Sequence, residues 1–220
     1  MSELETLGTE QNRKTYARHG APSCQFGVSW AHLTRLQKAI KCDHELALGL
    51  WETGNADARC LAPQIADPKQ MDKATLERWM TEAGYQMPVN TIAKHLACKT
   101  PFALELALKW LDSPRDLTSA AGWVVLVHLA EQDPAKGGTP DATLAPLIGR
   151  IEAGIHQASN KTREMMNLAL ISIGGYRINL REQALAAAKR IGKVDVDHGD
   201  TSCKTPDAGE YILKMAARKR

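Results

Sequence analysis

Apolar residues recur every three or four positions through most of the chain, in segments of about 10–17 residues separated by short runs of Gly, Pro, Asn and Asp. This spacing is typical of amphipathic α-helices, and no segment shows the two-residue alternation of a strand. Segment 116–131 is the most apolar, so we expect it in the protein interior.

Caps and helix breakers set the expected helix boundaries. Asn55 suits the N-cap of a helix, and Pro63 must kink, end or shorten that helix. The longest predicted loop spans residues 132–141. Beyond it the pattern predicts helices over residues 142–158, 161–173 and 180–191, and a short last helix from about residue 207.

The number of helices indicates the fold class. About ten short helices with short turns are too many for a simple bundle but suit antiparallel pairs stacked into a solenoid. Ala and Leu make up a quarter of the chain, which also favours helix. We therefore predict an all-α fold, a curved superhelix of antiparallel HEAT-like helical repeats. Its domain would span residues 1–192, with 193–220 forming a polar loop and a short basic helix packed on it.

The chain lacks the signals of export and of metal binding. No run approaches the ~18 apolar residues of a transmembrane helix, and acidic residues follow the first methionine, so we expect a cytoplasmic protein without membrane contact. The five cysteines include no C-x-x-C pair and no zinc-site spacing. We expect free thiols, no metal and no cofactor.

The positive charge is concentrated near the C-terminus. The net charge is +3, yet residues 161–220 carry 12 Lys and Arg against 7 Asp and Glu. A phosphate backbone would be attracted to such a region, although solvated surface helices explain it equally well. The candidate phosphate contacts are a helix start and a basic helix face: Lys161, Arg163, Arg177, Arg181, Lys189 and Lys193.

Three stretches together resemble the AlkD-type DNA alkylation repair family, whose members fold as HEAT-like superhelices. Tyr16-Ala17-Arg18, Phe26-Gly27-Val28 and a Leu-rich segment follow the order of its N-terminal pattern. Leu50-Trp51 matches its L-W segment, and Val89-Asn90-Thr91-Ile92 with Lys109-Trp110-Leu111 resembles the stretch around its active site. The resemblance covers roughly residues 12–192, and the order and spacing of the motifs carry it.

The resemblance implies removal of N3- or N7-alkylated purines from duplex DNA by cleavage of the N-glycosidic bond. It places Asn90 where the family has its catalytic Asp, and Gln86 where the family has an aromatic residue. Asn carries no negative charge, so another acid or ring would have to act, and Glu82, Tyr85 and Trp79 are nearest. The resemblance also places Ser119 where the family has a phosphate-facing Arg, and Ser172 where it has a second aromatic residue.

Two functions remain open at this stage. The first is a monomeric HEAT-like protein that binds duplex DNA, alkylated or undamaged, either as a glycosylase with a rearranged site or without catalysis. The alternative is a non-catalytic scaffold that binds another protein, which the nearly neutral first 160 residues also permit. In either case Trp51, Trp110 and Trp123 lie beside Leu or Ala on helical faces and are predicted to be core residues.

Overall fold

The computed structural model describes residues 1–199 and 202–218. Within these residues the protein has thirteen α-helices and no strand, and one isolated bridge joins Gly8 to Val28. The all-α prediction is therefore confirmed. The helices are α1 (Ser2–Leu7), α2 (Glu10–Arg18), α3 (Trp30–Ile40), α4 (His44–Glu52), α5 (Ala56–Ile65), α6 (Lys73–Glu82), α7 (Gln86–Thr91), α8 (Ala103–Leu111), α9 (Asp116–Glu131), α10 (Asp141–Gly154), α11 (Asn160–Tyr176), α12 (Arg181–Ile191) and α13 (Ala208–Arg218).

The chain divides into two compact units, Met1–Ala103 and Leu104–Arg220. The predicted C-terminal segment 193–220 belongs to the second unit, in which α13 packs against α11 and α12. Residues 200–201 and 219–220 of that segment lie outside the described residues. The boundary predicted at residue 192 stays a prediction.

Local sequence signals account for several helix ends. The Asn55 Oδ1 accepts the backbone N–H groups of Asp57 and Ala58 at 3.0 and 3.1 Å, which confirms the predicted cap. Pro63 lies inside α5, and the helix ends two residues later. Hydrophobic periodicity does not reveal α1 and α2, because α1 buries only Leu4 and α2 buries none of its residues.

Helix α5 is the centre of the first unit, where it packs against α3, α4 and α7. Eight of its ten residues are buried. Three of them are alanines with almost no exposed surface, and such small side chains let the neighbouring helices approach closely. The helix therefore holds the unit together by contact on several sides.

One buried carboxylate ties α5 to the segment that precedes α3. Asp57 is 3% exposed, and its Oδ2 accepts the N–H groups of Phe26 and Gly27 at 2.6 and 3.1 Å. Its Oδ1 accepts the N–H of Val28 at 2.9 Å. Gly27 has a φ of +79°, and a Cβ there would lie 2.5 Å from the Thr9 carbonyl oxygen. The backbone conformation at position 27 therefore requires glycine, and the Asp57 carboxylate accepts the N–H groups of residues 26–28.

In the second unit, α9 and α11 run parallel while α10 runs antiparallel to α11. Asp116, at the start of α9, contacts the start of α11, and Arg177, just after α11, contacts the end of α9. Arg177 also pairs with Asp141 at the start of α10. Bonds that join α9 to the start and to the end of α11 connect residues 45–48 apart, and those between α10 and α12 connect residues 38 apart. These offsets match the length of HEAT-like helix pairs.

The Asp116 carboxylate occupies the start of α11. Its Oδ1 accepts hydrogen bonds from the Thr162 N–H at 2.9 Å, the Thr162 hydroxyl at 2.8 Å and the Ser159 hydroxyl at 2.5 Å. Burial alone would raise the pKa of Asp116, but the bonds from Ser159 and Thr162 hold it below its usual value. The helix start at which we predicted a phosphate is therefore filled by the protein's own anion.

Arg177 is a structural residue, and the prediction that it contacts phosphate is wrong. It is 3% exposed, and its guanidinium donates to the carbonyl oxygens of Ala130 at 2.8 Å and Leu129 at 2.7 Å. It also does not share a helix with Arg181, because α11 ends before Arg177 and α12 begins at Arg181. Its guanidinium instead donates hydrogen bonds to carbonyl groups at the C-terminal end of α9.

Replacing Asp57 by Asn should lower the free energy of unfolding by about 2–4 kcal/mol, because the amide keeps one acceptor and sets an N–H₂ against backbone donors. Urea denaturation followed by circular dichroism measures this. Asp43→Asn is the matched control. Asp43 caps only its own helix through the Leu46 N–H, and Asn is an equally good cap, so we expect a change below about 0.5 kcal/mol. Equal losses in the two variants would contradict the role given to Asp57.

Replacing Arg177 by Met should cost about 3 kcal/mol of unfolding free energy, because it removes the guanidinium bonds to the Ala130 and Leu129 carbonyl groups and to Asp141. The same substitution at Lys189, an exposed residue of α12, should change stability by less than about 0.5 kcal/mol. Denaturant titration of both variants is the measurement. Wild-type stability of the Arg177 variant would show that the guanidinium does not hold α9.

Candidate functional site

An open groove of about 300 Å³ lies on the first unit. Trp30, the first residue of α3, forms one side of it. The remaining lining comes from α7 and from the π-helix that follows it, Ile92–Leu96. The lining residues are Trp30, Met87, Asn90, Thr91, Lys94 and His95.

The sequence spacing explains why these side chains meet. Residues 87, 90, 91, 94 and 95 recur at intervals of three and four, so they share one face of a helix. The intervening apolar residues Val89, Ile92, Ala93 and Leu96 are buried. Lys94 and His95 lie on the π-helical turn, and such turns are frequent at functional sites.

Trp30 is 43% exposed, unlike the other four tryptophans of the chain. Its ring centroid lies 6.3 Å from that of His95, with the two planes inclined at 48°. The helix starts here because the Ser29 Oγ accepts the N–H of His32 at 3.3 Å. Helical periodicity does not distinguish Trp30 from the buried tryptophans, although its indole is exposed to a ligand in the groove.

The buried tryptophans are core residues. The predictions for Trp51, Trp110 and Trp123 are confirmed, since all three are buried. Trp79 is buried as well, and its ring stacks on that of Trp51 with centroids 4.3 Å apart. Trp79 therefore offers no π surface to a ligand, contrary to one expectation from the resemblance.

Asn90 and Gln86 form a pair at the groove. The Gln86 Nε2 donates to the Asn90 Oδ1 at 2.7 Å. Asn90 is exposed and lines the groove, while Gln86 is half-buried one turn earlier. This bond fixes the orientation of the Asn90 amide and directs its Nδ2 group away from Gln86.

Tyr85 does not take part in the groove. It is 5% exposed, and its hydroxyl lies 3.6 Å from the Cys60 Sγ in the core. Burial raises the pKa of Tyr85, and burial raises the pKa of Cys60 to about 12, so both groups stay neutral. The prediction of Tyr85 as a site residue is corrected for this reason.

Glu82 is also held elsewhere. Its carboxylate accepts the Trp51 Nε1–H at 2.7 Å and lies 3.6 Å from the Arg59 guanidinium. Burial would raise the pKa of Glu82, but the bond from Trp51 and the nearby arginines lower it. Among the described residues that line the groove, none is acidic. The groove therefore suits a neutral or anionic ligand better than a cationic one.

Most of the predicted basic residues are engaged within the second unit. Arg163 donates to three backbone carbonyls, including that of Asp195 at 2.8 Å, and Arg181 donates to those of Gly174 and Gly175. The remaining ion pairs are Lys161 with Glu164 at 3.3 Å and Lys193 with Asp195 at 2.6 Å. Lys189 is exposed. These bonds hold helix ends and loops, and they reduce the charge available to a phosphate.

The two serines matched to family residues are both buried. The Ser119 hydroxyl donates to the Leu111 carbonyl at 3.2 Å, and Ser172 lies within α11. Neither residue can take over a surface role from the arginine or aromatic that the family has at its position.

Outside the groove, the thiol and metal-ligating groups of the described residues form no assembled centre. All five cysteines are free thiols. In the part of the chain that the structure describes, no three His, Cys, Asp or Glu residues are grouped to hold a metal ion. No helix there is long and apolar enough to cross a membrane.

Comparisons with known proteins agree with the motifs. The model of the family described as DNA alkylation repair enzyme matches residues 1–212. Protein Lin0241 of Listeria innocua is 33% identical over 99% of this chain and 96% of its own length. Protein Lmo0209 of Listeria monocytogenes is 30% identical over 100% of this chain and 96% of its own length.

A solved structure is similar along the whole chain. It represents a new family of proteins related to the HEAT-like repeat DNA glycosylases with affinity for branched DNA structures. The likeness has a TM-score of 0.85 at 31% identity, and it covers 100% of this chain and 93% of the other. It confirms the predicted HEAT-like architecture. Since the family model spans nearly all of the chain, the protein belongs to the DNA alkylation repair enzyme family.

Proposed function

We propose that this protein binds DNA with a preference for branched structures and does not cleave N-glycosidic bonds. The observation that carries the proposal is the composition of the groove. The family motif places Asn90 at the position of the catalytic Asp, and Asn90 lines the groove beside Lys94 with no acid among the lining residues.

The chemistry of base excision explains why this composition argues against catalysis. When an N-glycosidic bond breaks, positive charge develops on the sugar, and a fixed carboxylate stabilises it. A neutral amide provides much less stabilisation, and a nearby ammonium opposes the developing charge. The two nearest alternatives do not help, because Glu82 is bound to Trp51 and Tyr85 is buried in the core.

The preference for branched DNA is supported by the structural relative. That relative has affinity for branched DNA, and its likeness to this chain is continuous over the full length. Branch points expose bases and phosphates that a linear duplex keeps stacked or evenly spaced. A groove with an exposed indole and a lysine offers contacts to both kinds of group.

The charge of the protein bears on the strength of binding. A net charge of +3, with several arginines held by backbone carbonyls, leaves few cations for phosphate contacts. Affinity for undamaged linear duplex should therefore be weak, and the small number of phosphate contacts should make its dependence on salt shallow. Selectivity must come from the geometry of the DNA rather than from total charge.

Release of 7-methylguanine from a duplex should proceed at the spontaneous rate in the presence of excess protein. The physical reason is the missing carboxylate at residue 90, and single-turnover assays of free base measure it. Asn90→Asp restores the charge and should increase the rate by tenfold or more if the rest of the site is retained. Rapid release by the native protein would refute the proposal that it is not a glycosylase.

Replacing Lys94 by Ala should weaken binding to a gapped four-way junction about threefold to tenfold and reduce the salt dependence of binding by about one phosphate contact. Lys69→Ala removes the same charge from an exposed position in the same unit and serves as the control. Gel-shift titrations against junction and linear duplex at several salt concentrations provide the data. Equal affinity of the native protein for both DNAs would contradict the preference for branches, and no binding to either would favour the protein-scaffold alternative.

A further inference from the structure

We propose that the groove binds one unpaired nucleotide of branched DNA, with its base stacked on the Trp30 indole and its phosphate at Lys94. The inference rests on the proposed DNA binding and specifies what the groove recognises. The residues that carry it are Trp30, Asn90 and Lys94, all of them exposed.

The exposure of Trp30 is the first observation. A large aromatic ring left 43% exposed beside polar groups is typical of binding surfaces, because burying it on a ligand removes apolar area from water. Indole rings stack on all four bases, since every base has a π face. The His95 ring, inclined at 48° to the indole, bounds the groove on the side of the π-helix.

Asn90 supplies the polar contact. Its Oδ1 already accepts a bond from the Gln86 Nε2 at 2.7 Å, so the Nδ2 group is the part that faces a ligand. An amide N–H₂ donates to the ring nitrogens and carbonyl oxygens at the edge of a base. The acceptors on the Watson–Crick edge are engaged in a base pair and become available when the base is unpaired.

Lys94 supplies the charge, and the size of the groove limits its occupant. Lys94 lies one helical turn after Asn90, so an ammonium and an amide donor border the same space. A volume of about 300 Å³ is at the lower end of the range for small-molecule sites, about 300–1,000 Å³. The groove therefore accommodates a single base better than a base pair.

The stacked arrangement requires a base that has left its neighbours. In a duplex, both faces of a base are covered by adjacent pairs, and a protein reaches only the edges. Flaps and gapped junctions present unpaired bases without the cost of extrusion. The groove thus selects flaps and gapped junctions over fully paired DNA.

The test uses a flap DNA in which the first unpaired nucleotide carries 2-aminopurine. Its fluorescence should be quenched on titration with the native full-length protein, because stacking on an indole quenches this base. Trp30→Ala should abolish the quenching and weaken flap binding about tenfold, while Trp30→Phe, which keeps a stacking ring, should retain most of both. Binding to a fully paired four-way junction should be the same for all three proteins.

A control variant tests whether the loss of quenching is specific to Trp30. Tyr211→Ala removes an aromatic ring of equal 43% exposure from the second unit and should leave the quenching unchanged. Unaltered quenching in Trp30→Ala, or an equal loss of affinity for paired and unpaired junctions, would overturn the inference and leave the proposed DNA binding intact. Absence of binding to every DNA by the native protein would overturn both.

Discussion

The interaction on which each unit depends is a carboxylate in the first turn of a central helix that accepts backbone N–H groups from a distant segment. Asp57 in α5 and Asp116 in α9 both do this. Each carboxylate accepts hydrogen bonds from backbone N–H groups that have no acceptor within a helix or a sheet. These bonds offset the cost of removing the carboxylate from water. In the first unit the bonds fix residues 26–28, and two residues later the chain begins α3 with the exposed Trp30. The position of Trp30 beside the groove thus follows from the hydrogen bonds of the buried Asp57 carboxylate.

The second unit uses its charges in the same way, and this changes the meaning of its basic composition. Arg177 closes the end of α9 while Asp116 closes the start of α11, so the two parallel helices are held at both ends. Guanidinium groups that bind backbone carbonyls are no longer free to bind phosphate. A local excess of arginine therefore indicates a nucleic-acid surface only where the guanidinium groups are exposed.

The sequence was sufficient for elements whose signal is local. Segment 116–131 is predicted to be a buried helix because it is the most apolar segment of the chain, and the Asn55 cap follows from its neighbours. The roles of Asp57 and Arg177 were beyond such reasoning, because their partners lie 29–31 and 47–48 residues away. Periodicity reveals which face of a helix is buried but does not identify the distant backbone groups that meet it. Trp30 was missed for the complementary reason, since a tryptophan at a helix start is compatible with either burial or exposure.

The pattern around Asn90 shows how the chemistry of the groove can change without a change of fold. The packing of this segment depends on Val89 and Ile92, which are buried, whereas Asn90 is exposed and bonded only to Gln86. Exchanging a carboxylate for an amide at such a position removes no core contact, so folding places little restraint on it. Such an exchange would change the electrostatic preference of the groove, because it would leave Lys94 without a negative partner among the lining residues. On the function proposed above, a scaffold that favours a developing cation becomes one that favours a phosphate, and the family's fold then constrains the architecture of the site more than its reaction.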